Sequence, residues 1–377
     1  MPMPIRLQVL HISEVLKGGV GTYLRELLAL QRETYGPGMV GALVPSSQVS
    51  ELQAAPDMQL ATFSYARSRL ASVVRLAVET RKLVRRWDPR IIHIHSTYAG
   101  ALIRPLLAVT RHRATVIYCP HGWAFQRESS SLVIGGIKAL EALWSRWCDA
   151  IICVSNHERE VALRIGIPAE RLKLVRNGLP AQGPSPCVEV VDWPRDALRV
   201  LFVGRFDQQK GIDILFGALR ELGDRVFAVV AGDSLRSTRG VFPDNARYAG
   251  WLSPERLESH YRSADVVVMP SRWEGFGLVA VEAMRAGLPV IASDVGGLPE
   301  IVEHGRTGML ITPDEKSLVE VLRSVERLRL RSMGDAGRSR FLQHFTIDSS
   351  YRELCAVYDQ YQSDLEEAEF SREASLS

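Results

Sequence analysis

Two glutamates with seven residues between them form the most specific local pattern in the sequence. Glu274 follows a buried apolar run in the stretch P-S-R-W-E-G-F-G-L, and Glu282 falls inside the apolar helix predicted after it. A carboxylate in apolar company needs hydrogen-bond donors, and a pair of sugar hydroxyls supplies two. The alternative is that the Glu282 carboxylate caps a neighbouring loop. Gly275 and Gly277 would leave a helix N-terminus open to phosphate oxygens.

Two cations five positions apart occupy a second loop, which runs from Gly204 to Gly211 after an apolar run. Arg205 can bind phosphate oxygens as a fork and Lys210 as a point charge. The pair is therefore expected to converge on a diphosphate, with solvated surface cations as the alternative.

A glycine-rich loop and three histidines complete the candidate set. Gly18 and Gly19 lie in K-G-G-V-G before an amphipathic helix predicted at 22–31, where they form either a phosphate loop or a tight turn. His93 and His95 would share one face of a strand. Since the sequence indicates no third metal ligand, a core or rim role is favoured for both, while His121 follows a strand and is better placed for a site.

Short β-branched runs alternate with helical periodicity, which is typical of parallel α/β layers. One series of predicted strands covers residues 7–12, 39–43, 91–94, 115–119 and 150–154. A second covers 198–203, 226–231, 265–269 and 289–292. The Gly- and Pro-rich residues 177–194 form the predicted linker. Each half is therefore expected to be a doubly wound sheet with ligands at the carboxyl ends of its strands.

The composition limits the classes of protein to which this chain can belong. The 377 residues suggest two domains, and 46% hydrophobic with 24% charged residues is typical of a globular chain. The net charge of +3 argues against a whole-surface nucleic-acid binder. No run reaches the roughly 18 apolar residues of a membrane span, and no secretory signal is indicated. Five cysteines without a C-x-x-C pattern favour a reducing compartment and no zinc site.

Together these residues resemble the retaining glycosyltransferases of family 4, which have the GT-B fold. The resemblance rests on Glu274 and Glu282, on the following Gly296–Gly297 pair and on the 204–211 loop. It implies an α/β fold with two Rossmann-like, doubly wound parallel sheet domains facing a cleft. Residues 1–178 would bind the acceptor, with a helix at about 350–377 crossing back onto them, and residues 179–349 would bind the nucleotide-sugar donor.

The resemblance also implies roles for individual residues. The donor site would comprise Gly18, Gly19, Arg205, Lys210, Trp251, Leu252, Glu274, Gly275, Phe276, Gly277, Leu278 and Glu282. Arg205 and Lys210 would hold the diphosphate, and Glu282 the ribose hydroxyls. Glu274 and His121 would lie at the transferred sugar, so the expected catalytic residues are His121, Glu274, Arg205 and Lys210.

Charge on the departing diphosphate can be stabilised by fixed cations and helix-terminal amides, or by a divalent metal. Because the sequence has no Asp-x-Asp, we expect the cations to act without a metal, and no cofactor beyond the donor. The family implies retention of anomeric configuration, by front-face attack in which the leaving phosphate helps to deprotonate the acceptor.

The two halves of the chain differ in charge. Residues 1–180 have 23 Lys and Arg against 13 Asp and Glu, a net +10, whereas residues 181–377 have 23 against 30, a net −7. Seven basic residues lie within 64–86: Arg67, Arg69, Arg75, Arg81, Lys82, Arg85 and Arg86. The predicted apolar stripe is Leu70, Val73, Val74, Ala77 and Val84, with most of the basic residues opposite it and Arg81 at its edge. This pattern fits a helix on an anionic leaflet, and it also fits a solvated helix packed on a sheet.

A second apolar stretch, residues 132–147, contains Trp144 and Trp147, which suit either an interfacial position or the core. We therefore expect a cytoplasmic enzyme, peripheral on the inner face of the membrane, that binds no nucleic acid. It would transfer a sugar from a UDP-sugar, or secondly GDP-mannose, to a lipid-linked saccharide in bacterial lipopolysaccharide or exopolysaccharide synthesis. The alternatives are a soluble transferase acting on a small sugar or sugar phosphate, and a nucleotide-sugar 2-epimerase.

Overall fold

The computed structural model describes residues 6–53, 55–65, 69–127, 129–187, 192–232 and 242–374, with backbone alone at 69, 70, 73 and 364–374. The chain divides into two compact units. Unit 1 comprises Met1–Asn177 with Ile347–Ser377, and unit 2 comprises Gly178–Thr346. These divisions lie beside the expected boundaries at residues 178 and 349.

Unit 1 is built on a seven-stranded parallel sheet. Its strands are β1 (Val9–Ser13), β2 (Val40–Pro45), β3 (Gln59–Phe63), β4 (Ile91–His95), β5 (Thr115–Cys119), β6 (Ala150–Cys153) and β7 (Leu172–Leu174). Their order is β3-β2-β1-β4-β5-β6-β7. Every residue of β1, β4 and β5 is buried, as expected where helices cover both faces of a parallel sheet.

Five helices connect these strands: α1 (Gly19–Tyr35), α2 (Arg69–Trp87), α3 (Thr97–Ala108), α4 (Ser131–Trp144) and α5 (Asn156–Arg164). α1 begins three residues before its predicted start. α3 packs against both α2 and α4, so these three helices lie side by side.

Unit 2 repeats the design with six parallel strands. They are β8 (Leu198–Val203), β9 (Val226–Ala231), β10 (Ala246–Gly250), β11 (Val266–Met269), β12 (Val290–Ser293) and β13 (Gly308–Ile311), in the order β10-β9-β8-β11-β12-β13. Its helices are α6 (Ile212–Leu222), α7 (Pro254–Ser263), α8 (Leu278–Arg285), α9 (Leu298–Ile301), α10 (Glu315–Ser324) and α11 (Arg327–His344). The predicted doubly wound α/β class is confirmed.

The last helix, α12 (Ile347–Ala374), belongs to unit 1. Tyr358 of α12 is fully buried and hydrogen-bonds His93, and Gln362 accepts from Gln8 at 3.3 Å. Within the described ranges, no helix is both long enough and apolar enough to cross a membrane.

Strand order places a switch point in each sheet. In unit 2 the chain proceeds outward from β8 in one direction and from β11 in the other, and in unit 1 the same reversal occurs between β1 and β4. Loops after such neighbouring strands diverge and leave a crevice at the sheet edge. The loops after β8 and β11 carry the predicted cations and Glu274.

Candidate functional site

Lys210 and Glu274 form a direct ion pair across the switch point of unit 2. Lys210 Nζ lies 2.5 Å from Glu274 Oε2, and both side chains are largely buried. Ser271 Oγ donates to the same carboxylate oxygen at 3.5 Å. An ammonium group has three hydrogens, so the bond to Glu274 leaves Lys210 with two for phosphate oxygens.

Arg205 lies on the same loop as Lys210, with its guanidinium partly exposed. Its Nη2 donates to Gln209 Oε1 at 2.7 Å and lies 3.2 Å from Asp207 Oδ2. These neighbours hold the guanidinium at the carboxyl end of β8. Gln209 in turn donates to the carbonyl oxygen of Trp273, which ties the two loops together.

The glycine pair after β12 packs against the backbone that carries Glu274. Gly296 has a φ of 59°, and a Cβ there would lie 1.8 Å from the Glu274 carbonyl oxygen. Gly297 N donates to that oxygen at 3.2 Å. The pair therefore braces the loop of Glu274.

The residues predicted to offer backbone amides lie at the start of α8. Gly275 precedes the buried Phe276 side chain, and Gly277 caps the helix with a φ of 105°. A Cβ on Gly277 would lie 2.6 Å from Leu298 Cδ2, so close packing requires glycine here. Leu278 is the first residue of α8.

Glu282 is partly exposed and does not sit in the wholly apolar setting that the sequence suggested. Tyr261 of α7 donates its hydroxyl to Glu282 Oε2 at 2.7 Å. Burial, then the charge of Glu282, raises the pKa of Tyr261 well above its usual range, so the phenol stays protonated. Sequence reasoning missed Tyr261, because no spacing relates a residue of α7 to one of α8.

Trp251 and Leu252 follow β10 at the same edge of the sheet. Trp251 is 54% exposed, whereas Leu252 is buried. An aromatic cluster that the sequence did not reveal lies beside them, in which Phe206 and Phe242 pack against Tyr248 with ring centroids 5.4 and 5.8 Å away. An aromatic surface thus adjoins the loop that carries Arg205.

In unit 1, Gly18 has a φ of 77° and Gly19 begins α1 directly after it. Glu14, in the preceding loop, was not singled out from the sequence. Its carboxylate accepts from the Ser96 hydroxyl and from Ala99 N, and burial raises its pKa. A buried carboxyl therefore lies at the switch point of this sheet.

His121 lies after β5 and joins a cluster of histidines. His93 and His95 stack with ring centroids 4.1 Å apart, as their shared strand face predicts. His11 of β1 supplies the third ring, and the nitrogens of His11, His93 and His95 lie within 4.8 Å of one another. No sequence pattern indicated His11 as a partner, because its proximity depends on the pairing of β1 with β4.

The exposed face of α2 differs from the predicted one. The side chains packed on the sheet include Leu76, Leu83, Val84 and Trp87, whereas Val74 is 53% exposed and Val78 is exposed beside it. The predicted stripe is therefore wrong at Val74, because the bulkier side chains set the helix phase. Arg67 and the side chains of Arg69, Leu70 and Val73 lie outside the described residues. A shallow groove on α2 is lined by Val78, Arg81, Lys82, Arg85 and Arg86.

α4 exposes apolar side chains on its outer surface and buries a carboxylate on its inner one. Four large side chains are exposed: Leu132, Val133, Leu140 and Leu143. Its buried residue is Glu141, which pairs with the fully buried Arg104 of α3 at 2.6 Å. Trp144 and Trp147 are half-buried and stack at 6.3 Å, so aliphatic side chains and not the predicted tryptophans form the exposed apolar surface.

The structure thus collects most predicted donor-site residues at one edge of the unit 2 sheet. Arg205, Lys210 and Glu274 lie on neighbouring loops, with the 275–278 segment, Glu282 and the 251–252 pair at the same edge. Gly18, Gly19 and His121 belong to unit 1. Two doubly wound sheets of this kind, one of them with cations and carboxylates in the loops at the carboxyl ends of its strands, are typical of the GT-B fold.

The family matches are explicit. Residues 17–182 match Glycosyltransferase Family 4, and residues 189–340 match Glycosyl transferases group 1. An uncharacterized 41.2 kDa protein in the cps region of Klebsiella pneumoniae is 32% identical over 330 residues, which cover 84% of this chain and 90% of that protein. The chain belongs to the group 1 glycosyltransferases of family 4.

Solved structures share the fold. Sucrose-phosphate synthase from Thermosynechococcus elongatus has a TM-score of 0.80 at 23% identity, covering 95% of this chain and all of that one. Anabaena HepE in complex with UDP and glucose has a TM-score of 0.77 at 18% identity, covering 94% and 100%.

Proposed function

We propose that this chain is a retaining glycosyltransferase that moves a hexosyl or N-acetylhexosaminyl group from a nucleotide diphosphate sugar to a hydroxyl of a lipid-linked saccharide. A UDP-sugar is the first choice of donor and GDP-mannose the second. The acceptor would serve bacterial surface polysaccharide synthesis. The relative in a cps region supports the pathway, and the fold shared with a UDP-binding structure supports the donor.

The ion pair between Lys210 and Glu274 carries this proposal. Lys210 and Arg205 provide fixed positive charge where a diphosphate would leave, without reorganisation during the reaction. Glu274 is held by Lys210 so that its carboxylate can accept from hydroxyls of the transferred sugar. The two cations do the work that a metal does in other transferases, and the reaction is expected to proceed without one.

The nucleoside would lie along the same edge of the sheet. Glu282 would accept hydrogen bonds from the ribose hydroxyls, while the Tyr261 hydroxyl donates to its Oε2. Trp251 and the aromatic cluster at Tyr248 provide a surface for the base. On unit 2, the amides at 275–278 would contact the sugar. On unit 1, the resemblance to family 4 implies His121 as a contact of the sugar and Gly18 and Gly19 as contacts of the diphosphate.

A membrane surface is proposed as the second partner. On α2, Val74 and Val78 are exposed beside Arg81, Lys82, Arg85 and Arg86. α4, which lies on the other side of α3, exposes four aliphatic side chains, with Leu132 at 89%. Cations next to exposed apolar side chains suit an anionic leaflet. This surface supports a lipid-linked acceptor over a small soluble sugar.

Replacing Lys210 tests the donor site. In a thermal-shift screen of UDP-sugars and GDP-mannose, a donor at 100 times its Kd should stabilise the wild type by about 2.7 kcal/mol. Lys210→Ala should bind that donor about 10 to 100 times more weakly, since a charge-assisted hydrogen bond is lost. Addition of EDTA should leave donor binding unchanged.

Lys316→Ala is the matched control, because Lys316 is an exposed lysine of the same unit and lies on α10. It should bind donor as the wild type does. Equal donor affinity of Lys210→Ala and the wild type would contradict the proposal.

A further inference from the structure

Four polar side chains in unit 1 form one continuous series of hydrogen bonds. Gln31 Oε1 lies 2.6 Å from His11 Nε2, and His11 Nδ1 lies 2.9 Å from His95 Nε2. His95 Nδ1 lies 3.0 Å from His121 Nε2. Gln31, His11 and His95 are fully buried, whereas His121 is partly exposed. The series therefore runs from the interior of unit 1 to its surface at His121.

The imidazoles of this series are neutral. Burial lowers the pKa of His11 and of His121 to about 4. Burial together with the neighbouring imidazoles lowers the pKa of His95 well below its usual range. A neutral imidazole has one N–H and one lone pair, so each ring in the series donates through one nitrogen and accepts through the other. The direction of the first bond consequently sets the direction of all the others.

Gln31 sets that first direction. Its carbonyl oxygen faces His11, and its amide nitrogen faces the hydroxyl of Tyr358 at 3.5 Å. Because a carbonyl oxygen only accepts, His11 donates from Nε2 and its Nδ1 must accept from His95. By the same rule His95 Nδ1 accepts from His121 Nε2–H.

We infer that Gln31, His11 and His95 are positioning residues that hold His121 as its Nε2–H tautomer, with the Nδ1 lone pair directed away from the series. Within the described part of the chain, His121 Nδ1 has no hydrogen-bond partner. That nitrogen accepts a hydrogen bond from a hydroxyl of the transferred sugar. This last role rests on the proposed function, whereas the tautomer does not.

The backbone supports this positioning role. His121 has a φ of 51°, in the left-handed region that residues with a Cβ rarely adopt, and Gly122 follows with a φ of 108°. The edge of the Tyr23 ring packs against the His121 imidazole with centroids 5.3 Å apart. The backbone conformation at His121 and the Tyr23 ring on one side therefore both hold the His121 imidazole against His95.

A metal at His11, His93 and His95 is the competing explanation of the cluster. Both nitrogens of His11 are already bonded in the series, Nε2 with Gln31 and Nδ1 with His95, so a metal on His11 would have to break one of these bonds. The His93 ring stacks on His95 with centroids 4.1 Å apart and an interplanar angle of 30°. Lone pairs lie in the ring planes, so these two stacked rings do not direct them to one point.

The tautomer can be measured on the wild-type protein without donor or acceptor. In long-range ¹H–¹⁵N spectra near neutral pH, His121 should show a protonated Nε2 and an unprotonated Nδ1, with assignment from the signals lost in His121→Asn. The exposed His344 provides an internal example of a ring that exchanges between tautomers. A protonated Nδ1, averaged tautomers at His121, or one equivalent of bound transition metal would overturn the inference.

A variant of Gln31 then distinguishes a role in positioning His121 from a role in stability alone. Gln31→Leu removes the acceptor at the start of the series and should give averaged tautomers at His121. It should also lower kcat by up to about tenfold, the effect of one neutral hydrogen bond, with the KM for the donor unchanged. Leu28→Ala, a buried change on the same helix away from the imidazoles, should keep the single tautomer and the wild-type kcat.

The tautomer spectra and the kcat measurement distinguish failure of the tautomer inference from failure of the proposed function. If no nucleotide sugar is turned over, the proposed function fails and the tautomer still stands or falls on the spectra. If the spectra show the Nε2–H tautomer and Gln31→Leu loses it without any change in kcat, the sugar-binding role of Nδ1 is wrong.

Discussion

Glu282 illustrates how a carboxylate is accommodated inside an apolar helix. Its neighbours on α8 are Val, Ala and Met, yet it is partly exposed and accepts from the buried hydroxyl of Tyr261. The phenol satisfies one oxygen and fixes the orientation of the carboxylate. A prepositioned carboxylate binds a pair of hydroxyls with less loss of rotamer entropy.

Removing that hydroxyl should weaken nucleotide binding. Tyr261→Phe should cost about 1 kcal/mol of stability and raise the Kd for UDP severalfold, because Glu282 loses the hydrogen bond from the Tyr261 hydroxyl. Urea unfolding and isothermal titration would measure the two effects. Tyr98→Phe, at an exposed position of α3, should change neither. An unchanged Kd in Tyr261→Phe would mean that Glu282 is oriented by other contacts.

At the scale of elements, the strands that sequence patterns missed share one property. β3, β7, β10 and β13 are the four edge strands of the two sheets. The edge strands β3 and β10 are only partly buried, with residues such as Gln59 and Arg247 in them, so they lack the continuous apolar run that predicts a central strand. The central strands were predicted because both of their faces are covered.

α4 shows an inverted pattern, with apolar side chains outside and an ion pair inside. Arg104 Nη2 and Glu141 Oε2 join α3 to α4, and the Arg104 guanidinium stacks 4.0 Å from the centre of the Tyr118 ring. The Tyr118 hydroxyl donates to Glu141 at 3.3 Å. This network anchors an otherwise exposed helix.

Removing one partner of the Arg104–Glu141 pair should lower the free energy of unfolding far more than replacing both partners with apolar residues. Arg104→Met should destabilise unit 1 by about 3 to 5 kcal/mol, because it leaves Glu141 buried without its cation. The double variant Arg104→Met with Glu141→Leu should recover most of that loss. Urea unfolding of the two single variants and the double variant measures the coupling. A double variant destabilised by the sum of the two single changes would show that the two residues act independently.

At the scale of the whole molecule, charge is divided between the halves of the chain. The net +10 of residues 1–180 is partly concentrated on α2, whose cations flank exposed valines, while residues 181–377 carry a net −7. Residues 347–377, which belong to unit 1, have 2 basic and 8 acidic side chains, so unit 1 as a whole has a net +4 and unit 2 a net −1. The proposed orientation of unit 1 toward an anionic surface therefore rests on the local cations of α2.

Liposome flotation tests this orientation. Wild-type protein should float with anionic vesicles and much less with neutral ones, since each basic residue near the surface contributes about 1 kcal/mol. Reversing Arg81, Lys82, Arg85 and Arg86 to Glu should abolish flotation. Reversing four exposed cations of unit 2, Arg306, Lys316, Arg329 and Arg331, should not. Equal recovery from both vesicle types would favour the soluble acceptor.

The sequence by itself determined the central strands, the two-unit α/β architecture and the loops that carry Arg205, Lys210 and Glu274. These features follow from the local pattern of apolar and charged residues. A strand that is buried on both faces must be apolar, and the loop at its end can contain charged side chains. Only the tertiary structure decided which side chains meet. The hydrogen bonds between Tyr261 and Glu282 and between His95 and His11 join separate elements. The outward face of α2 depends on the bulk of Leu83 and Trp87 against the sheet. Such pairings depend on strand register and helix phase, which packing sets only when the whole chain is folded.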